Sequence, residues 1–318
     1  MALDTFYKVQ FSDAVDQLAG SQKRSLLREF TRPGSKKGEA VFFDGISPDT
    51  AARATAIASV KNRATFEDLE GDSQTFANWQ DIQTPHMEVN RQRTYCAPTR
   101  IDWGHSFSKE KDLQEITSEH GQVLQQGMRS IWFQEDTAIL TALFAANQSR
   151  GKNQANLSSV SFPNDQKMTL TTVTKAMCSE IKAKFENQYE FDDMPVCCIS
   201  PTIKKLLIDH SGGTIHSADF VSKHGLFEKG ELPDIYGVRF CVHPLVDSYA
   251  ADGMEYAAVA WDPRALIANE FEALSKDLDR NPGLRFQVQA YLEEFLGCCR
   301  TDDNLVVQIQ FNTDGSGS

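Results

Sequence analysis

Between Leu113 and Ala146 the chain holds no proline. Its apolar residues there fall on one stripe: Leu113, Ile116, Val123 and Leu124, Met128, Ile131 and Trp132, Ile139 and Leu140, Leu143 and Phe144. Steps of three, four and seven residues mark one face of an α-helix, with Gly121 and Gly127 as its weak points. At 1.5 Å per residue such a helix is on the order of 50 Å long, more than a compact domain of this size needs. The pattern predicts a strut. The whole chain has 318 residues, and at ~150 residues per domain it holds one large or two modest units.

The segment before the helix has the opposite character. Residues 46–85 carry Asp49, Glu67, Asp68, Glu70, Asp72 and Asp81 against Arg53, Lys61 and Arg63. Only a few large apolar residues interrupt them, Ile57, Phe66, Leu69, Phe76 and Trp79 among them. That is too little apolar surface for a core of its own, and long structureless insertions in compact domains are usually functional or disordered. Strands bracket it. Residues 39–44 read as a short strand closed by Gly45. From His86 onward the chain alternates, with Met87, Val89, Arg91, Arg93 and Tyr95 on one face and Glu88, Asn90, Gln92 and Thr94 on the other. After Pro98 the alternation resumes with Ile101, Trp103 and Phe107. Two strands joined by a long projecting excursion is the simplest description.

Charge is unevenly spread. Residues 20–37 hold Lys23, Arg24, Arg28, Arg32, Lys36 and Lys37 against Glu29 alone, a local +5 within a total of -12, which leaves -17 elsewhere. A strongly acidic body argues against a general nucleic-acid binder, because phosphate binding needs clustered cations. Helical spacing over residues 3–30 predicts one or two short helices in this basic arm, stopped before Pro33. No apolar run approaches the ~20 residues of a membrane span. The opening Met-Ala-Leu-Asp-Thr-Phe lacks the basic-then-apolar order of a secretion signal, which predicts a protein that stays where it is made.

The second half reads as mixed α/β. It offers a polar linker over 149–167, a helix over 170–185, a buried strand over 196–199 and a short helix over 203–208. Strands follow over 236–243 and 255–261. Residues 264–281 look loop-rich or helical. A long strand from about 284 to 299 and a last strand over 305–311 complete the chain.

Motifs for chemistry are scarce. There is no P-loop, no G-x-G-x-x-G and no G-x-S-x-G. Gly71-Asp72-Ser73 with Asp102-x-x-His105 resembles the blocks of lipase-like esterases. Ser73, however, sits in the polar excursion rather than on a strand-to-helix turn. His210, His216 and His224 with Asp209 and Asp219 have metal-ligand chemistry, but spacings of 6 and 8 match no helical or strand face. Glu293-Glu294 lies in a predicted strand, where adjacent side chains diverge. The seven cysteines include two adjacent pairs and no C-x-x-C, which predicts buried thiols in a reducing compartment. No catalytic, cofactor or metal site is expected.

The order of parts is informative: basic arm, strand, acidic excursion, returning strand, strut helix, α/β region, long return strand, final strand. It resembles the major capsid protein of tailed bacteriophages, and the local sequence is similar to one such family over nearly the whole chain. Val15-Asp-Gln-Leu-Ala-Gly-Ser-Gln-Lys-Arg-Ser-Leu-Leu-Arg28 resembles its arm. Thr84-Pro-His-Met-Glu-Val-Asn-Arg91 with Asp102-Trp103 resembles its approach to the spine helix, and Ser200-Pro201 and Tyr236-Gly-Val-Arg-Phe240 resemble turns of its axial domain. The seven cysteines and the 149–167 linker depart from the pattern.

The resemblance implies an α+β fold. Its parts would be an N-terminal arm (1–37), an extended loop with flanking strands (38–103), a peripheral domain with the spine helix (104–167 and 283–300) and an axial domain (168–282 and 301–318). It implies a non-enzymatic shell protein that assembles with itself through pentamers and hexamers around double-stranded DNA, held non-specifically. A portal, a decoration protein and a scaffolding protein would be its other partners. With 37 residues before the first strand, the scaffold is expected to be a separate chain. Assembly would occur in the host bacterial cytoplasm, without membrane or cofactor, and the product would be the virion capsid. Arg24, Arg28, Arg32, Phe66, Phe76 and Trp79 are the expected inter-subunit contacts. The alternatives are an encapsulin-like nanocompartment and, more distantly, a cytosolic α/β hydrolytic enzyme.

Overall fold

The computed structural model describes residues 25–38, 40–46, 91–107, 119–150, 157–186, 194–210, 232, 234–281 and 287–312. Three sheets and three helices account for most of them. The first sheet has the order β1-β11-β12-β4, with β1 Arg32–Gly34, β4 Thr99–Phe107, β11 Leu266–Asn281 and β12 Gln287–Arg300. The second has the order β7-β13-β10-β8-β9, with β7 Lys167–Leu170, β8 Val196–Ile199, β9 Arg239–Val242, β10 Tyr256–Trp261 and β13 Val306–Phe311. The third has the order β2-β3-β5-β6, with β2 Val41–Ile46, β3 Arg91–Cys96, β5 Asn147–Arg150 and β6 Ser158–Val160. The helices are α1 Glu119–Phe144, α2 Lys175–Glu186 and α3 Pro201–His210.

The strut helix joins two cores. Its 26 residues span about 39 Å. Leu124, Met128 and Ile131, toward its N-terminus, pack with Ile101, Ala268, Leu292 and Leu296 of the long-strand sheet. Ile139, Leu140 and Leu143, toward its C-terminus, pack on the five-stranded sheet. That second sheet is covered on both faces, so β8 and β10 read as continuous apolar runs, whereas β13 alternates Val307, Ile309 and Phe311 with Gln308 and Gln310. Alternation still sorts the side chains. Cys197, Ile199, Ala258, Ala260, Val307 and Ile309 meet α2 and α3, whereas Val196, Cys198, Ala257, Val259 and Trp261 meet α1. The end of α1 is capped from a distance. Buried Arg300 donates through Nη1 to the carbonyls of Ala142, Leu143 (3.0 Å) and Ala145 (2.7 Å), satisfying acceptors that a helix terminus leaves open.

Several expectations change. Residues 264–281, expected to be loop or helix, form the long strand β11; register shifts at Glu270/Glu272 and Glu272/Ser275 interrupt the alternation by which a strand is recognised. The polar linker over 149–167 contributes to β5, β6 and β7. The strand expected from Tyr236 begins at Arg239, because Tyr236 (φ 52°) and Gly237 (φ 73°) make the left-handed turn between Ile235 and Val238. On β3 the face of Thr94 and Cys96 is the buried one and Tyr95 on the other face is half-buried, since Val41 and Phe43 pair opposite Cys96 and Thr94. Gly45 lies inside β2 rather than closing it. Gly127 is a contact point more than a weak one: a Cβ there would stand 2.7 Å from the Trp103 ring.

Candidate functional site

The root of the arm is fastened to the body by a buried polar junction. Residues 25–30 form a turn ending in the 3-10 segment Arg28–Phe30. The Ser25 hydroxyl donates to Asp136 Oδ1, and the Leu27 amide donates to the same oxygen at 3.0 Å. Leu27 itself is fully buried among the residues of α1 and β10. The Arg28 guanidinium meets three carboxylates: Glu135 on α1 at 3.3 Å, Glu294 on β12 at 2.9 Å, and Glu270 on β11. Trp261 Nε1 donates to the Phe30 carbonyl at 2.9 Å. Beyond it β1 pairs in parallel with β11, and the Asn269 amide brackets Lys36, accepting from its N–H and donating to its carbonyl, both at 2.9 Å.

Burial disfavours the Arg28 cation, but Glu135, Glu294 and Glu270 more than offset this and hold its pKa above the ordinary value. Glu135 is 2% exposed. Burial, then the charge of Glu294 and a hydrogen bond with it, push the Glu135 carboxyl up to about 8 against the opposing pull of Arg28. At neutral pH the Glu135 carboxyl is therefore mostly protonated. The protonated carboxyl reduces the negative charge gathered around Arg28.

Beside this cluster His243 Nε2 lies 3.3 Å from Asp136 Oδ2, while His243 Nδ1 accepts from the Leu245 amide at 3.3 Å. Ser25, Asp136 and His243 have the residue types of a hydrolase triad but not its order. Ser25 donates to the aspartate, and neither imidazole nitrogen is left to take its proton. The trio binds the arm root to α1 and to the segment after β9.

Of the expected contact residues, Arg28 is engaged within its own chain and Arg32 is exposed on β1. Arg24, Phe66, Phe76 and Trp79 lie outside the described residues, as do Lys61, Ser73, His216, Asp219 and His224. Glu293 and Glu294 diverge as a strand requires: Glu293 meets exposed Arg100 at 2.6 Å, and Glu294 turns inward to Arg28. All seven cysteines are free thiols. Among the described residues no group of three or more potential ligands is placed to hold a metal, and no helix is long and apolar enough to cross a membrane. Sequence reasoning missed Glu135, Asp136, Glu270 and His243; the readable signal was two acidic residues interrupting the apolar stripe of α1.

A family model described as phage capsid protein matches residues 3–313. The chain belongs to the phage capsid protein family. No curated protein matches the sequence. Among solved structures the capsid protein is similar to one described as Mycobacterium phage Che8 (13% identity, TM-score 0.55, covering 99% of this chain and 93% of that one). It is similar to the capsid asymmetric unit of Cyanophage Pam1 (12% identity, TM-score 0.60, 92% and 93% covered). It also resembles a virus-like particle from Pyrococcus furiosus (10% identity, TM-score 0.54, 95% and 99% covered). At these identities the structural likeness establishes the fold, and the family match establishes a major capsid protein of the virion shell.

Proposed function

We propose that this capsid protein closes, through pentamers and hexamers, into an icosahedral shell around double-stranded phage DNA, and that it acts purely as a structural protein. The observation that carries this reading is the family match, which runs through the 46–85 excursion, a segment too poor in apolar residues to fold on a core of its own. Such a segment gains its apolar contacts from another copy, with Phe66, Phe76 and Trp79 as anchors. Arg24 and Arg32 meet acidic neighbours or the genome, while Arg28 fixes the arm that carries them. An acidic body suits a container that must release DNA, because a basic lining would hold the polyanion.

The division into arm (1–37), extended loop (38–103), peripheral domain (104–167 and 283–300) and axial domain (168–282 and 301–318) belongs to the same proposal. The pairing of β11 with β12 supports moving 266–281 to the peripheral side. Assembly takes place in the host bacterial cytoplasm with a separate scaffolding protein, and a portal and a decoration protein complete the particle. Negative-stain electron microscopy of the purified protein, with and without the scaffold, tests this. Closed shells or rings of five and six subunits are expected; a monomer under both conditions overturns it. The resemblance to the Pyrococcus furiosus particle favours a second reading, an encapsulin-like compartment. Particles isolated with protein cargo and no DNA would select it.

A further inference from the structure

The turn before β9 is firmly held at its base and uncomfortable at its tip. Ile235 and Val238 exchange two backbone hydrogen bonds, the Ile235 amide donating at 3.2 Å and the Val238 amide at 3.0 Å. Both side chains are buried in the core under α2 and α3. The Arg239 amide donates to the Pro195 carbonyl at 2.9 Å and fixes the start of the strand that follows. Between these anchors Tyr236 (φ 52°) and Gly237 (φ 73°) take the left-handed conformation. Asparagine, aspartate and glycine suit the first of those two places, and a bulky aromatic does not. The tyrosine gains little burial in return. It is 59% exposed, more than any other large apolar side chain among the described residues. Strain kept without matching burial inside the subunit points to a role outside it. The tip also carries both signs of charge, with exposed Asp234 before the turn and exposed Arg239 after it.

We propose that Tyr236 anchors a contact between two copies of the capsid protein, tip to tip about a two-fold axis. The inference rests on the shell reading above. In that arrangement the two tyrosine rings meet at the centre, and Asp234 of each copy faces Arg239 of the other. The tip is self-complementary in charge, which is why a second copy suits it better than a partner of one sign. The hydrogen-bonded turn presents the ring already ordered, so docking costs little further freedom.

The test measures the protein concentration at which half of the purified protein sediments as shells or rings, beside the thermal midpoint of the subunit. Tyr236→Asn relieves the backbone, so its midpoint should hold or rise, yet it should need about tenfold more protein to assemble. Tyr236→Phe should assemble near the wild-type concentration. Asp234→Arg and Arg239→Asp should each assemble poorly alone and recover when the two purified variants are mixed in equal amounts. A pairing within one subunit cannot be rescued between molecules in this way. Wild-type assembly by Tyr236→Asn, or a mixture no better than its parts, overturns the proposal. So does a midpoint that falls with assembly in Tyr236→Asn, which would make the ring a packing residue of its own subunit. A wild type that stays monomeric with and without scaffold strikes the shell reading itself, and this contact with it.

Discussion

The carboxyl of Glu135 holds a proton that the unfolded chain would release, and this gives the capsid protein a signed pH dependence. The folded-state pKa of about 8 lies above the ordinary 4.5. The folded state therefore binds the proton more tightly across that window, and stability falls as pH rises from about 4.5 to about 8. Glu135→Gln keeps a donor toward Glu294 and removes the titration. The variant should show a flatter urea midpoint across this window and should gain on the wild type at its alkaline end; an unchanged slope would refute the raised Glu135 pKa. Arg28 is the complementary case. Arg28→Ala leaves Glu135 and Glu294 buried without their cation and should cost about 3–5 kcal/mol in chemical denaturation. Arg28→Lys should recover only part, because an ammonium cannot face three carboxylates as a planar fork does. Little of this junction was legible in the sequence. Arg28 and Glu294 are 266 residues apart. No local pattern ties them, although the Glu135-Asp136 interruption in an apolar stripe marked a place where buried charge would need partners.

At the scale of elements, legibility followed periodicity. Helix α1 and strands β8, β10 and β13 read correctly, because a long apolar stripe (α1), short apolar runs (β8, β10) and a clean apolar alternation (β13) are what those environments select. The strand β11 did not, because two register shifts break its alternation and because its first residues, Leu266 to Asn269, are covered on both faces. The short strands β5 and β6 are too polar to stand out from a linker. Their pairing on β3 is fixed by tertiary context. The same context decides Gly127. In an isolated helix, alanine would gain up to about 1 kcal/mol over glycine. Here the added Cβ would meet the body of the Trp103 ring at 2.7 to 2.9 Å, and forcing α1 away from β4 typically costs about 1–3 kcal/mol. The clash wins. Gly127→Ala should lower the thermal midpoint by a few degrees in calorimetry, whereas a rise would show that the ring swings aside freely.

For the whole molecule, the apolar surface is divided between what folds the subunit and what the subunit offers to its copies. Within the described cores α1 fills the space over both sheets, and the arm root is held by Asp136, Glu135 and Trp261. Residues 46–85 bring large apolar groups that the proposed function assigns to contacts between copies. Removing Phe76 and Trp79 should therefore separate folding from assembly. The double variant Phe76→Ala, Trp79→Ala is expected to keep the thermal midpoint of the wild-type subunit to within a degree or two. It should also fail to form closed shells by electron microscopy, because interface anchors of this size commonly contribute about 2 kcal/mol or more each. A shell multiplies such a loss over every contact it repeats, so even partial weakening should raise the protein concentration needed for assembly. Normal shells from the double variant would remove these aromatics from the interface. A collapsed thermal midpoint would place them in the subunit's own core instead.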